Sequence, residues 1–308
     1  MTAQSSPPSS TIESPLPVAS AFPQPAPSGP AVAQPAPSGP AVAQPAPSGP
    51  AVAQPAPSGP VSGQAAPSTS AVPQPAAPAR PGVRLAARGL VRRFGSTTAL
   101  AGVDVDLADG ESLAVMGPSG SGKSTLLHCL AGILPPDAGV VTLRGTPLQG
   151  MSERERSMLR REHYGFVFQF GQLLAELPAV ENVALPAMLL GMPRREAVEQ
   201  ARGWLVHLGL GGMEGRRPGE LSGGQAQRVA VARALITGPD VVFADEPTGS
   251  LDQSTGHDVM QILTETTRAA GASLVVVTHD ANVAAWCDRS IEVRDGLIVG
   301  AAVGASQR

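Results

Sequence analysis

Nine consecutive residues, Gly117, Pro118, Ser119, Gly120, Ser121, Gly122, Lys123, Ser124 and Thr125, read GPSGSGKST. The spacing G-x-x-x-x-G-K-[ST] is a phosphate cradle when it joins a strand to a helix. Small residues let main-chain N–H groups curve around a β-phosphate, and the helix N-terminus adds partial positive charge. Lys123 would then reach the β- and γ-oxygens, and the Ser124 hydroxyl would ligate Mg²⁺. Of the 22 basic residues, 21 are arginine and Lys123 is the only lysine. A lone ammonium among guanidinium groups hints at a site that needs its geometry, although a GC-rich genome would also favour arginine.

Two further strand ends carry chemistry. VVFADEPT puts Asp245 and Glu246 after an apolar run. Asp245 is placed to hold Mg²⁺, directly or through water, and Glu246 to act as general base on an attacking water. The run Leu274–Val277 leads into Thr278 and His279. If it shares a sheet with the other two strands, His279 contacts the γ-phosphate. The remaining histidines (His128, His163, His207, His257) have no such context and read as structural. A second glycine-rich turn, LSGGQ from Leu221 through Ser222, Gly223 and Gly224 to Gln225, opens another helix. It makes a second anion site. One triphosphate needs only one cradle, so a second suggests a nucleotide sandwiched between two chains.

The elements that must position these residues alternate along the chain. Val83–Phe94 and Leu100–Ala108 alternate as antiparallel strands, with a turn at Asp109–Gly110. Ser112–Met116 is a short strand feeding the glycine loop and a helix over Lys123–Leu134. A mixed-charge helix at Ser152–His163 precedes a strand at Tyr164–Phe168. Helices follow at about Val180–Leu190, Arg194–Leu208 and Gly223–Thr237, the last with Val229, Ala232 and Ile236 on one face. Val241–Ala244 and Leu274–Val277 are continuous aliphatic runs, as parallel strands covered on both faces require. Interior parallel strands between helices mean an α/β fold. In open parallel sheets ligands bind beyond the carboxyl ends of the strands, so the strand-end residues should converge.

At this point the sequence resembles the ABC (ATP-binding cassette) ATPases over nearly all of residues 83–308, on five ordered motifs: GPSGSGKST, Gln169 in GFVFQ, LSGGQ, ADEPTGSLD and His279. The resemblance implies a P-loop NTPase fold with a parallel-sheet core, an antiparallel β subdomain and a helical subdomain at about 155–222. It implies an ATPase using ATP and Mg²⁺, working as a head-to-tail homodimer. In that dimer Ser222 and Gly224 act across the interface on the partner's nucleotide. Gln169 senses Mg²⁺ and the γ-phosphate and relays to a partner protein, and Asp252 belongs to the D-loop between protomers. Phe94 falls where the family stacks an aromatic on adenine; a core phenylalanine is the alternative. The stretch Leu173–Gly191 with its flanks is similar to the macrolide-export and lipoprotein-release group, whose ATPases drive separate permeases. It departs from that group at Leu177–Pro178 and at Phe170–Gly171–Gln172.

Composition bounds the rest. Residues 1–81 hold 22 of the 32 prolines and only two charges, Glu13 and Arg80. AVAQPAPSGP recurs unchanged from Ala31, Ala41 and Ala51. Such a unit offers too little apolar surface to offset chain entropy, so a disordered tail is expected, with 82–308 as one ATP-binding domain. A net charge of -3 and the lack of a basic-aromatic stripe argue against a nucleic-acid partner. A signal peptide is not expected either. The longest aliphatic stretch, Val183–Met192, is about half a membrane span. Attachment to the inner face of the plasma membrane would come through a transmembrane permease. The competing reading is a soluble ABC ATPase of DNA repair or translation. It lacks support: Leu221 lies 98 positions after Lys123 with no sustained heptads between them, and there is one cassette.

Overall fold

Residues 82–303 are described by the computed structural model, and they belong to one compact unit. The expectation for the repeat tail, 1–81, lies outside the described residues. Two antiparallel strands, β1 (Val83–Phe94) and β2 (Thr97–Ala108), open the fold. The second begins three residues earlier than the alternation suggested, because Gly95 takes a positive φ of 59° and turns the chain at once. β3 (Ser112–Met116) follows, then α1 (Lys123–Leu130), β4 (Ala138–Leu143) and β5 (Thr146–Pro147). α1 stops four residues before Leu134, since Gly132 adopts φ 63° and its N–H turns back to the Cys129 carbonyl.

The chain continues through α2 (Glu153–His163), β6 (Tyr164–Phe168), α3 (Ala179–Leu189), α4 (Arg194–His207) and α5 (Gly223–Leu235). It closes with β7 (Val241–Asp245), α6 (Gln253–Ala269), β8 (Ser273–Val277), the short α7 (Ala281–Ala284), β9 (Arg289–Arg294) and β10 (Leu297–Val303). α2 starts where a Ser152–Glu155 capping box satisfies its free N–H groups. α6 has no counterpart in the sequence reading. Its buried face includes Gly256, Thr264, Thr266 and Thr267 beside Val259, Met260 and Leu263, which blurs the apolar period.

Two sheets result, ordered β2-β1-β4-β5 and β10-β9-β3-β8-β7-β6. In the second, β9, β3, β8, β7 and β6 run parallel and β10 closes one edge antiparallel to β9. Alternate residues of its strands feed two separate cores, as the two-residue period of a strand demands. Ala114, Val167, Val242, Ala244 and Val276 pack with α3, α4, α5 and α6. Leu113, Val115, Phe243, Val275 and Val277 pack with α1 and the antiparallel sheet. Burial on both faces is why those strands read as unbroken aliphatic runs.

Opposite the strands' carboxyl ends, Asp240 ties several elements together. It is 8% exposed and accepts from Arg84 Nη1 at 2.5 Å and from Arg144, while His163 Nδ1 lies 2.9 Å away. This carboxylate joins β1, the β4–β5 turn, α2 and β7.

Candidate active site

Strand register brings four chain segments to one edge. Val115 pairs with Val277, Asp245 with Val277, and Phe168 with Asp245. The residues just beyond, Gly117, His279, Glu246 and Gln169, therefore leave the sheet side by side. The convergence expected from three strand ends holds, and β6 adds a fourth.

The GPSGSGKST turn is built on glycines that nothing else could replace. A Cβ on Gly117 (φ 143°) would stand 2.1 Å from the Val293 carbonyl oxygen, and one on Gly122 (φ 106°) 2.3 Å from that of Ala99. Gly122 also caps α1, so the loop runs directly into the helix N-terminus. Pro118, Ser119 and Gly120 are exposed, as is Ser124, whereas Ser121 is buried and Thr125 half-buried. Lys123 is buried, and its Nζ donates at 2.8 Å to the carbonyls of both Gly117 and Pro118. The ammonium is thereby fixed at the mouth of the loop.

Ser124 lies beside Asp245, close enough for its hydroxyl to favour the ionised carboxylate. Burial pushes the Asp245 carboxyl above the usual range, partly countered by the charge of His128. His128, read from sequence as structural, thus sits close enough to act on the strand-end carboxylate. Glu246 holds a left-handed backbone (φ 46°), which is uncommon outside glycine. Its N–H donates to the Val277 carbonyl at 2.9 Å, pinning the strained residue to the neighbouring strand. His279 Nδ1 lies 2.8 Å from Glu246 Oε1, and Thr278 donates to Glu246 Oε2 at 3.3 Å. Since an ionised carboxylate only accepts, the Nδ1 that faces Glu246 carries a proton. Thr278 was missed in the sequence; its only signal is adjacency to His279.

Gln169 reaches the loop after β7, where a Cβ on Gly249 would come 2.8 Å from its Nε2. Phe94 is 49% exposed, so it is no core residue, and the Arg92 guanidinium lies 4.9 Å from the centre of its ring. The open ring can stack on a planar base.

The LSGGQ turn is organised by its own side chains. Ser222 accepts from the Gln225 N–H at 3.3 Å and the Gln225 side chain accepts from the Ser222 N–H at 3.0 Å, a capping box that starts α5. Leu221 is half-buried, while Ser222 and Gly223 are exposed. A Cβ on Gly223 would lie 2.9 Å from Leu251 Cδ2, and one on Gly224 only 2.4 Å from Thr255 Cγ2. The turn thus packs on the start of α6, which Asp252 caps by accepting from the Thr255 N–H at 3.0 Å.

Several known proteins are similar to this chain. A family model described as ABC transporter matches residues 100–249. The lipoprotein-releasing system ATP-binding protein LolD of Bacteroides fragilis is 44% identical over 211 residues, covering 68% of this chain and 98% of the relative. The macrolide export ATP-binding/permease protein MacB of Rhodopseudomonas palustris is 48% identical over 216 residues, covering 69% of this chain but 33% of the relative. Among solved structures, a dimeric ATP-binding cassette in a post-hydrolysis state bound to ADP and Pi superposes with a TM-score of 0.65 at 36% identity. It is matched over 71% of this chain and 98% of its own. CbiO1 from Clostridium perfringens, part of an ABC transporter complex, gives 0.67 at 28% identity, over 72% and 89%.

Proposed function

Because the chain belongs to the ABC transporter family and is an ATP-binding, ATP-hydrolysing subunit of the lipoprotein-release and macrolide-export type, we propose how its residues divide the work. Phe94 stacks on adenine, and Gly117–Thr125 cradles the phosphates. Lys123 exchanges its carbonyl partners for β- and γ-oxygens, its burial ensuring that the ammonium meets them desolvated. Glu246 takes the proton of the attacking water. His279 holds Glu246 in place through Nδ1 and offers its other edge to the γ-phosphate. The donor set suits Mg²⁺: the Ser124 hydroxyl, the Asp245 carboxylate beside it and the Gln169 amide are all hard oxygen ligands. Among the described residues no group of three His, Cys, Asp or Glu forms a metal cage, which fits a cation that shares its ligands with nucleotide and water. When bound, Mg²⁺ would neutralise charge developing on the phosphates.

The exposed capping turn Leu221–Gln225 is the observation that carries the dimer. It packs on the start of α6, and its exposed Ser222 and Gly223 are open to the nucleotide of a second copy. Residues 82–308 form the ATP-binding domain in this reading. Its helical subdomain spans about 155–222, within which β6 belongs to the six-stranded sheet. No helix among the described residues is long and apolar enough to cross a membrane. MacB joins ATP-binding and permease parts in one protein, of which this chain spans a third. Here the permease is a separate transmembrane partner that holds the subunit on the cytoplasmic face, in an exporter or mechanotransmission machine.

Purification of tagged Glu246→Gln chain from detergent-solubilised membranes with ATP and Mg²⁺ tests this. Recovery of a multi-span permease is expected. Recovery of ribosomal or DNA-associated proteins alone would move the function to translation or repair.

A further inference from the structure

The segment after Gln169 is strained in a way that β6 itself does not explain. Phe170, Gly171 and Gln172 have φ values of 39°, 64° and 45°, three left-handed residues in a row, two of them not glycine. Such a run persists only where its surroundings over-determine it. Phe170 is 72% exposed, so its side chain is not what anchors the turn.

The anchors come from the helix that LSGGQ opens. Arg233, on the last turn of α5, donates from Nη1 to the Gln172 carbonyl at 2.8 Å and from Nη2 to the Gly171 carbonyl at 2.7 Å. Gln227, earlier on the same helix, donates to the Phe168 carbonyl at 2.9 Å. Gly171 is buried close against α5, where a Cβ would meet the Ala226 carbonyl oxygen at 3.3 Å and the Ala230 methyl at 3.5 Å. Arg233 is half-buried, and that burial lowers its pKa from its ordinary value. Its two hydrogen bonds here go to neutral carbonyls. Partly desolvating a charge for such partners carries a cost that the geometry it fixes must offset. The planar fork suits two adjacent carbonyls in a way that a single ammonium cannot.

On these grounds we propose that Arg233 is a positioning residue for the ATPase reaction: its guanidinium fork holds the 170–172 turn so that Gln169 stays aimed at the Mg²⁺ and γ-phosphate position. Arg233 touches neither nucleotide nor metal. It acts through Gln169, whose side chain lies against Gly249 in the loop that follows Glu246. The inference rests on the assignment of Gln169 given above. It adds a physical link from the signature helix to the metal site within one protomer.

The test compares Arg233→Ala, Arg233→Lys and Gln169→Ala in the full chain, with three readouts. Arg233→Ala is expected to speed hydrogen exchange at the Gly171 amide, which donates to the Phe168 carbonyl at 3.0 Å. It should raise the Mg²⁺ midpoint of ATP hydrolysis about ten-fold. ATP affinity without Mg²⁺ should match wild type, which a general loss of folding would not allow. Arg233→Lys, able to serve one carbonyl at a time, should fall between the two. Adding Gln169→Ala to Arg233→Ala should shift the midpoint no further. If Gln169→Ala shifts the midpoint and neither Arg233 variant does, the inference fails and the role of Gln169 stands. If Gln169→Ala leaves the midpoint unchanged, the assignment of Gln169 falls and this inference falls with it. Additive shifts in the double variant would also overturn it.

Discussion

Nδ1 of His279 lies 2.8 Å from Oε1 of Glu246, bridging the ends of two neighbouring parallel strands. The pairing makes the histidine an orienting group for the base as well as a candidate phosphate contact. Glu246→Gln keeps an acceptor for Nδ1 but cannot take a proton. Turnover should fall by about 10²- to 10⁴-fold while ATP still binds and a nucleotide-bound dimer accumulates. His279→Ala should reduce turnover too, without accumulating that dimer as strongly, because Glu246 remains able to accept. Steady-state hydrolysis and size-exclusion chromatography with ATP check both; rapid turnover by Glu246→Gln would refute the base assignment.

Gly224 can be tested through the side chain beneath it. A Cβ there would stand 2.4 Å from Thr255 Cγ2, and its backbone has no positive φ to add strain. Gly224→Ala should therefore lose most ATP-dependent dimerisation. Thr255→Ser removes the one obstructing methyl, so the double variant should recover much of it. Analytical ultracentrifugation in the Glu246→Gln background gives the readout. Failure of Thr255→Ser to rescue would mean that the glycine is required by the partner's nucleotide and not by packing within the protomer.

How far the sequence reached follows from what each residue needs around it. That Lys123, Asp245, Glu246 and His279 meet at one sheet edge was legible because their placement depends on local order: a strand, a turn and a named side chain. Phe243 and its neighbours were legible as buried strands because both faces are covered. Thr278 and Arg233 were not. An arginine on a helix ordinarily reads as a solvated cation, and only the fold turns the carbonyls of residues 171 and 172 toward it. α6 was hidden because threonines occupy inward positions where leucines would have shown the period. β9 and β10 have a local signal, the Asp295–Gly296 hairpin turn with both residues at positive φ, which the sequence reading passed over; only the pairing of β9 with β3 depends on distant chain.

Both cysteines should be silent in the folded protein. Burial pushes the Cys129 thiol up to about 11 and the Cys287 thiol up to about 12, and each side chain is 1% exposed. Since the thiolate is the reactive form, neither should react with a thiol reagent at pH 8. Two equivalents should react in guanidinium. Fast labelling of one thiol without denaturant would show that α1 or the segment after α7 opens on the labelling timescale.

Asp240 should prove the most costly single charge to remove. It serves Arg84, Arg144 and His163 from a nearly closed position, and Arg84 is itself only 13% exposed. Asp240→Ala leaves the Arg84 guanidinium without its nearest buried counter-charge; Asp109 at 2.6 Å is half exposed and compensates weakly. Breaking a buried pair from one side typically costs about 3–5 kcal/mol, so the loss should reach about 3 kcal/mol in urea unfolding. Arg84→Ala should cost less, since Asp240 keeps Arg144 and His163 as partners. The double variant should therefore be less destabilised than the two single losses summed. The active-site edge lies at the other end of the strands, so ATP affinity at fixed folded fraction should be unchanged. Strict additivity of the two losses would show that Arg84 and Asp240 contribute separately, and that the cluster does not bind the antiparallel sheet to the core.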